Sequence, residues 1–149
     1  YMKMLGGDGM RDAAQTAVLN ANYLKKLLEP HCDAATPGLC MHEFVLTMEH
    51  LKKETGVSAM DVAKSMLDYG MHPPTMYFPL IVPEALMFEP TETESKETLD
   101  WAAQTIAEIL ERAHTDPESL HASPTRTPIR RPDEVRAART PKLRYSFDA

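Results

Sequence analysis

Apolar residues recur along this chain at two spacings, and the spacings divide it into elements. From Met10, the residues Ala13, Ala14, Ala17, Ala21, Leu24 and Leu28 return at three- and four-residue steps, which predicts a helix with one apolar stripe. Ahead of it, Gly6-Gly7-Asp8-Gly9 is expected to break any helix arriving from upstream, with Asp8 as the cap. Residues 31–39, bracketed by Pro30 and holding Pro37 and Gly38, read as loop. Residues 41–48 predict a strand, with His42, Phe44, Leu46 and Met48 on one face and Glu43, Val45 and Thr47 on the other. A helical turn over 49–54 then precedes Gly56.

Start and stop signals mark two further helices. Ser58 with Asp61 three places on forms a capping box, Val57 and Val62 can staple the entry, and Gly70 sits where a C-terminal cap belongs. Met60, Ala63, Met66, Leu67 and Tyr69 supply the apolar face. Residues 75–80 and 85–89 predict an antiparallel hairpin with prolines at its margins and a loop over 81–84. Thr91 with Glu94 predicts a second capping box, and Leu99, Ala102, Ala103, Ile106, Ile109, Leu110 and Ala113 continue that helix's stripe. After His114, the recurrence of Pro117, Pro124, Pro128, Pro132 and Pro141 leaves room for one short helix near 133–139 within an extended arm. The expected division is a compact α/β (α+β) domain over 1–115 and the arm over 116–149.

Charge sharpens that division. Of the 16 Lys/Arg and 22 Asp/Glu, seven and five fall in residues 116–149, leaving nine against 17 on residues 1–115. So acidic a body is a poor nucleic-acid partner. The tail's arginines stand beside Asp133 and Glu134 without interleaved aromatics, which favours docking on the acidic body or a partner subunit. No apolar run is long enough for a transmembrane helix. The opening Tyr1-Met2-Lys3 is neither a signal peptide nor a natural start, so the chain is expected to lie inside a longer polypeptide. Cys32 and Cys40 make no disulfide framework and no metal spacing, which points to a reducing, cytoplasmic setting.

Candidate chemistry is sparse. His42 is compatible with a cleft-facing titrating group or with a packed histidine bonded to backbone. As neighbours on a strand, His42 and Glu43 would point to opposite faces and form no acid–base pair. His72-Pro73-Pro74-Thr75 holds two polar side chains on a stiff corner, suited either to ligand contact or to architecture alone. The acidic run from Glu89 to Glu94 reads as helix capping rather than a cation site, and the glycines at 6–9 lack phosphate-loop spacing. Nothing suggests covalent catalysis.

A resemblance reaches further. The words Leu19-Asn20-Ala21-Asn22-Tyr23-Leu24, Met41-His42-Glu43-Phe44-Val45-Leu46 and Leu67-Asp68-Tyr69-Gly70 resemble the C-terminal part of the glycine cleavage system P-protein family. So do the long word from His72 through Glu94, and Thr127-Pro128-Ile129-Arg130-Arg131. The match is to the second, catalytic subunit of the two-subunit bacterial form; Cys32 to Leu39 and the end from Ser146 depart from it. The resemblance implies the small C-terminal domain of a fold-type-I pyridoxal-phosphate enzyme: a short, mainly antiparallel sheet with helices packed on it. It implies a complete enzyme that decarboxylates glycine on pyridoxal phosphate and passes the aminomethyl group to the lipoyl arm of H-protein. It further implies a first P-protein subunit as partner, an upstream lysine for the cofactor, and hence no catalytic residue and no bound cofactor here. His42, His72 and Thr75 are then expected to face the active-site cleft. The isolated piece is expected to be inactive and prone to self-association through uncovered apolar surface. The alternative reading is a non-catalytic protein-association module.

Overall fold

In the computed structural model, which describes residues 1–147, the chain opens on α1 (Met2–Leu28), two helical pieces joined at Gly6. Gly6 has φ 65°, a left-handed conformation that glycine adopts without a Cβ penalty, so the expected break is present. The expected cap is not. Asp8 lies past the break, inside the resumed helix, and accepts from Arg11 Nη2 at 3.3 Å one turn on. Ala21, Leu24 and Leu28 of the stripe are buried, whereas Ala14, nearer the start, is exposed.

The loop after α1 contains a strand that two residues could not announce. β1 (Asp33–Ala34) pairs antiparallel with β2 (Phe44–Thr47), Asp33 opposite Thr47. A buried lysine folds this loop back: Lys25, 2 % exposed, donates from Nζ to the carbonyls of Thr36 at 2.9 Å and Gly38 at 2.6 Å. In β2 the alternation behaves as expected, with Phe44 and Leu46 buried and Val45 and Thr47 half-buried. The strand starts at Phe44, however. His42 lies in a bend and Glu43 in irregular chain ahead of it, so the alternation that would have put them on opposite faces does not apply.

After α2 (Glu49–Thr55), α3 (Ala59–Asp68) obeys its start and stop signals in full. The Ser58 hydroxyl accepts from Asp61 N at 3.3 Å while the Asp61 carboxylate accepts from Ser58 N at 2.8 Å. At the other end, Gly70 at φ 80° lets its own N–H reach Leu67 O at 3.0 Å and Met71 N reach Met66 O at 3.1 Å, closing a Schellman motif.

β3 (Thr75–Met76) is shorter than the expected 75–80 because Tyr77 turns to φ 57° and the chain leaves the ladder there. It pairs antiparallel with β4 (Ala85–Phe88), so the hairpin stands but its loop runs over 77–84. That tip leaves Leu80 and Ile81 88 % and 89 % exposed, beside half-exposed Tyr77 and Phe78. The sheet order is β1-β2-β4-β3, antiparallel throughout. Phe44 lies opposite Phe88 with the rings stacked at 5.4 Å, and Leu46 lies opposite Leu86.

α4 (Lys96–Thr115) completes the core through Leu99, Ala103, Ile106, Ile109, Leu110 and Ala113, all buried as expected. Its cap is Ser95, which accepts from Thr98 N at 3.2 Å, and not Thr91. Asn20 of α1 explains the shift: its Nδ2 donates to Thr91 O at 2.8 Å and Glu94 O at 3.2 Å, holding 91–94 as a turn ahead of the helix.

The stretch after Thr115 does not begin as an extended arm. α5 (Pro117–His121) buries Leu120 completely, and Ser123 and Pro124 are buried after it. Arg131 then locks the segment down. Its guanidinium donates to Ser123 O at 2.6 Å, to Leu120 O at 3.0 Å and to the Asp61 carboxylate at 2.7 Å. Arg126 N and Thr125 N donate to Asp68 at 2.6 and 2.7 Å. The exposed arm runs only from Pro132, with α6 (Glu134–Arg139) as its short helix, and the expected arm's last two residues, 148 and 149, lie outside the described residues. Among the described residues, no helix is long and apolar enough to cross a membrane.

Asp61 thus serves as a helix cap and as the buried partner of Arg131. Asp61→Ala is expected to lower the unfolding free energy by roughly 2–3 kcal/mol, read from urea denaturation, because cap and charge partner go together. Burial alone pushes the Asp61 carboxyl up, yet the Ser58 and Arg131 hydrogen bonds outweigh it and hold it below its ordinary 3.8. Asp68 is held down in the same sense, the Arg126 and Thr125 N–H groups outweighing burial. A depressed folded-state value means stabilisation present above the ordinary value and lost as pH falls below about 3.8. The urea midpoint should therefore fall from about pH 5 to about pH 3, and less steeply in Asp61→Asn.

Candidate functional site

The stiff corner between α3 and β3 forms one wall of a cleft. The Schellman turn at Gly70 redirects the chain, Pro73 and Pro74 fix its path, and Thr75 enters β3 opposite Met87 of β4. His72 and Thr75, both exposed, line the cleft together with Met71 and Met87. The chain running out of β4 adds Glu89, Pro90 and Thr91. The first turns of α4 supply the facing wall, with Glu94 before the helix and Thr98, Trp101 and Ala102 on it. The volume is about 510 Å³, within the range of small-molecule sites.

His42 stands at the edge of this arrangement. The β2–β4 pairing brings its Nε2 to 3.8 Å from Glu89 Oε1, with Glu43 Oε2 at 4.0 Å. The two carboxylates flank one imidazole, so His42 and Glu43 do approach, contrary to the expectation for strand neighbours. The His42 side chain is 53 % exposed and makes no hydrogen bond to backbone among the described residues. The structure therefore gathers His72 and Thr75 in one cleft and places His42 against a carboxylate of its lining.

α4 is held in place by polar contacts from α1. Besides the Asn20 bonds, Tyr23 Oη donates to Asp100, and Lys96 Nζ donates to the other Asp100 oxygen at 2.6 Å. The Lys96 bond, with that of Tyr23, holds the Asp100 carboxyl below its usual range.

Comparison with known proteins bears on this geometry. Residues 13–129 match the family model described as glycine dehydrogenase, C-terminal domain. The chain belongs to that family. It is 59 % identical over 145 residues to a probable glycine dehydrogenase (decarboxylating) subunit 2 of Treponema denticola, and 55 % identical over 148 residues to the protein so described in Thermosipho africanus. Those alignments take in 97 % and 99 % of this chain but only 30 % and 31 % of the relatives, so the chain spans about a third of their length. Among solved structures it resembles glycine decarboxylase (P-protein) of the glycine cleavage system in inhibitor-bound form. There the TM-score is 0.62 and the identity 25 %, covering 73 % of this chain and 24 % of that one. The fold is the small α+β domain, with its antiparallel sheet and packed helices, that the resemblance implied.

His42, His72 and Thr75 all fall within the matched residues. Glu89, Glu94 and Trp101 also line or border the cleft, and only the acidic pair carried any signal, as part of a run that reads equally well as helix capping. The lining contains neither lysine nor arginine, while Glu89 and Glu94 supply negative charge. Such walls suit a neutral or cationic polar ligand. They do not fit a phosphate-bearing cofactor such as pyridoxal phosphate, which needs cationic or N–H donors for the phosphate and a lysine for its carbonyl. Among the described residues, no group of three or more His, Cys, Asp or Glu could hold a metal ion.

Trp101 is the chain's single tryptophan, 44 % exposed in this acidic setting. Caesium ion is expected to quench its fluorescence more strongly than iodide, and Glu94→Gln should narrow the gap. Iodide quenching as strong as caesium quenching would contradict the described lining.

Proposed function

We propose that this chain is the C-terminal part of the second subunit of a two-subunit, cytoplasmic glycine decarboxylase. The small domain takes in α1 to α5 and the docked stretch up to Arg131, and the arm follows from Pro132. The complete enzyme decarboxylates glycine with pyridoxal phosphate and hands the aminomethyl group to the lipoyl arm of H-protein. The first subunit, H-protein and glycine are its partners, and the lysine that holds the cofactor belongs to the remainder of the polypeptide.

The observation that supports this reading is the open cleft lined by His72 and Thr75, with His42 outside its lining and against Glu89. Family membership supports it. In the complete enzyme this cleft forms one wall of the active site. The proline corner keeps the His72 and Thr75 side chains at a fixed height above β4, so that they position substrate without reorganising. Glu89 stands 3.8 Å from the His42 Nε2. The apolar Met71, Met87 and Trp101 surfaces keep water from that wall. The rival, a protein-association module, has one observation on its side: the exposed apolar tip over 77–81.

The test uses the full-length two-subunit enzyme. His72→Ala should lower glycine-dependent CO2 exchange by about tenfold or more while the yellow cofactor absorbance stays. The 149-residue chain alone should be colourless and inactive. Unchanged exchange in both His72→Ala and His42→Ala would favour the association module. Stoichiometric uptake of the cofactor by the isolated chain would overturn the domain assignment.

A further inference from the structure

A second hollow, of about 430 Å³, opens where the end of α3, the last turns of α4 and the docked segment after α5 meet. It shares no lining residue with the cleft. Its charged lining groups are Asp68, Arg112 and Arg126, joined by the hydroxyls of Tyr69, Ser119, Ser123 and Thr125.

Arg112 is incompletely used. Its Nη1 donates to Tyr69 Oη at 3.3 Å, and its guanidinium carbon lies 6.0 Å from the Tyr69 ring centre. Its Nε is buried without a hydrogen-bond partner among the described residues. Buried donors in folded proteins are satisfied by protein, water or ligand, and an orphan marks a place where an acceptor belongs. Neither Arg112 nor Arg126 enters an ion pair among the described residues, where Arg11 and Arg131 do. Asp68 is the one carboxylate of the lining, and its oxygens are occupied by Thr125 N, Thr125 Oγ1 and Arg126 N at 2.6 to 3.2 Å. Two guanidinium groups against one engaged carboxylate leave the hollow positive, on a body that is otherwise strongly acidic.

We propose that this hollow binds a phosphate group. Arg112 Nη2 donates to no acceptor among the described residues, and Arg112 lines the hollow, so this nitrogen can take a phosphate oxygen. Tyr69 Oη accepts from Arg112 and so keeps its own proton to donate, and the Arg126 guanidinium is free to reach a further oxygen. A tetrahedral oxyanion uses donors in that arrangement; a planar carboxylate, with two oxygens, leaves some idle. The hydroxyls of Ser119 and Ser123 already donate to carbonyls, so the arginines and Tyr69 carry the recognition. Free phosphate and the phosphate of a small organic ester present the same chemistry.

The test is a titration of the 149-residue chain with inorganic phosphate at constant ionic strength, followed by amide chemical shifts, with glycerol phosphate in a parallel arm. Saturable shifts centred on Tyr69, Thr125 and Arg126 are expected, and the tighter of the two ligands identifies the source. Arg126→Gln should weaken binding by about tenfold, the loss of one charge-assisted contact. Arg112→Gln should abolish it; since Arg112 packs on Tyr69, Arg126→Gln decides if that variant unfolds. Shifts that do not saturate, that chloride reproduces, or that persist with equal affinity in Arg126→Gln would overturn the proposal.

Discussion

The pairing of β2 with β4 is the constraint from which the rest follows. Four residue pairs set the register, with Phe44 opposite Phe88 and Leu46 opposite Leu86, and all four side chains face the helices. Because strand side chains alternate with period two, a slip of one residue would turn every one of them outward, so the register is strongly fixed. The stacked phenylalanines close the ladder at the end where the functional residues gather. His42 lies two residues before one ring and Glu89 one residue after the other. Their approach is therefore a direct product of core packing. The cleft inherits its geometry from the same pair of strands, since β4 supplies its floor and positions β3 beside it.

A second constraint acts over a longer sequence distance. The Asp61 carboxylate starts α3 through Ser58 and, 70 residues later in the chain, receives Arg131. Charges this deep are costly to bury unless each oxygen is occupied, and here Ser58 N, Ser58 Oγ and Arg131 Nη1 converge on them. The arrangement makes α3 and the docked C-terminal segment depend on one another. It also brings Thr125 and Arg126 onto Asp68, and so builds the hollow at Arg112.

Elements governed by local rules were legible in the sequence. The capping box at Ser58, the glycine cap at Gly70, the alternation in β2 and the stripe of α4 all depend on residues within about two turns of one another. Misreadings arose where a distant residue decided. Thr91 and Glu94 match a capping box as well as Ser95 matches a cap, and Asn20 of another helix settles which is used. Leu120 looks isolated in a proline-rich stretch because the core it joins is built by α3 and α4, outside that stretch. β1 has too few residues to show a period. For the site, the stiffness of the His72–Thr75 corner was visible in its prolines, whereas the contact of His42 with Glu89 required knowledge of the register.

Lys25 shows one more consequence of this packing. Its ammonium sits among carbonyl oxygens and pairs with no carboxylate among the described residues, sealed beneath the loop it holds. The other seven lysines are at least partly open to solvent. An amine-selective label applied under native conditions would thus mark the surface set and spare one position. That position would react only when the loop lifts or the whole fold opens, which makes it a built-in clock for unfolding that needs no added probe.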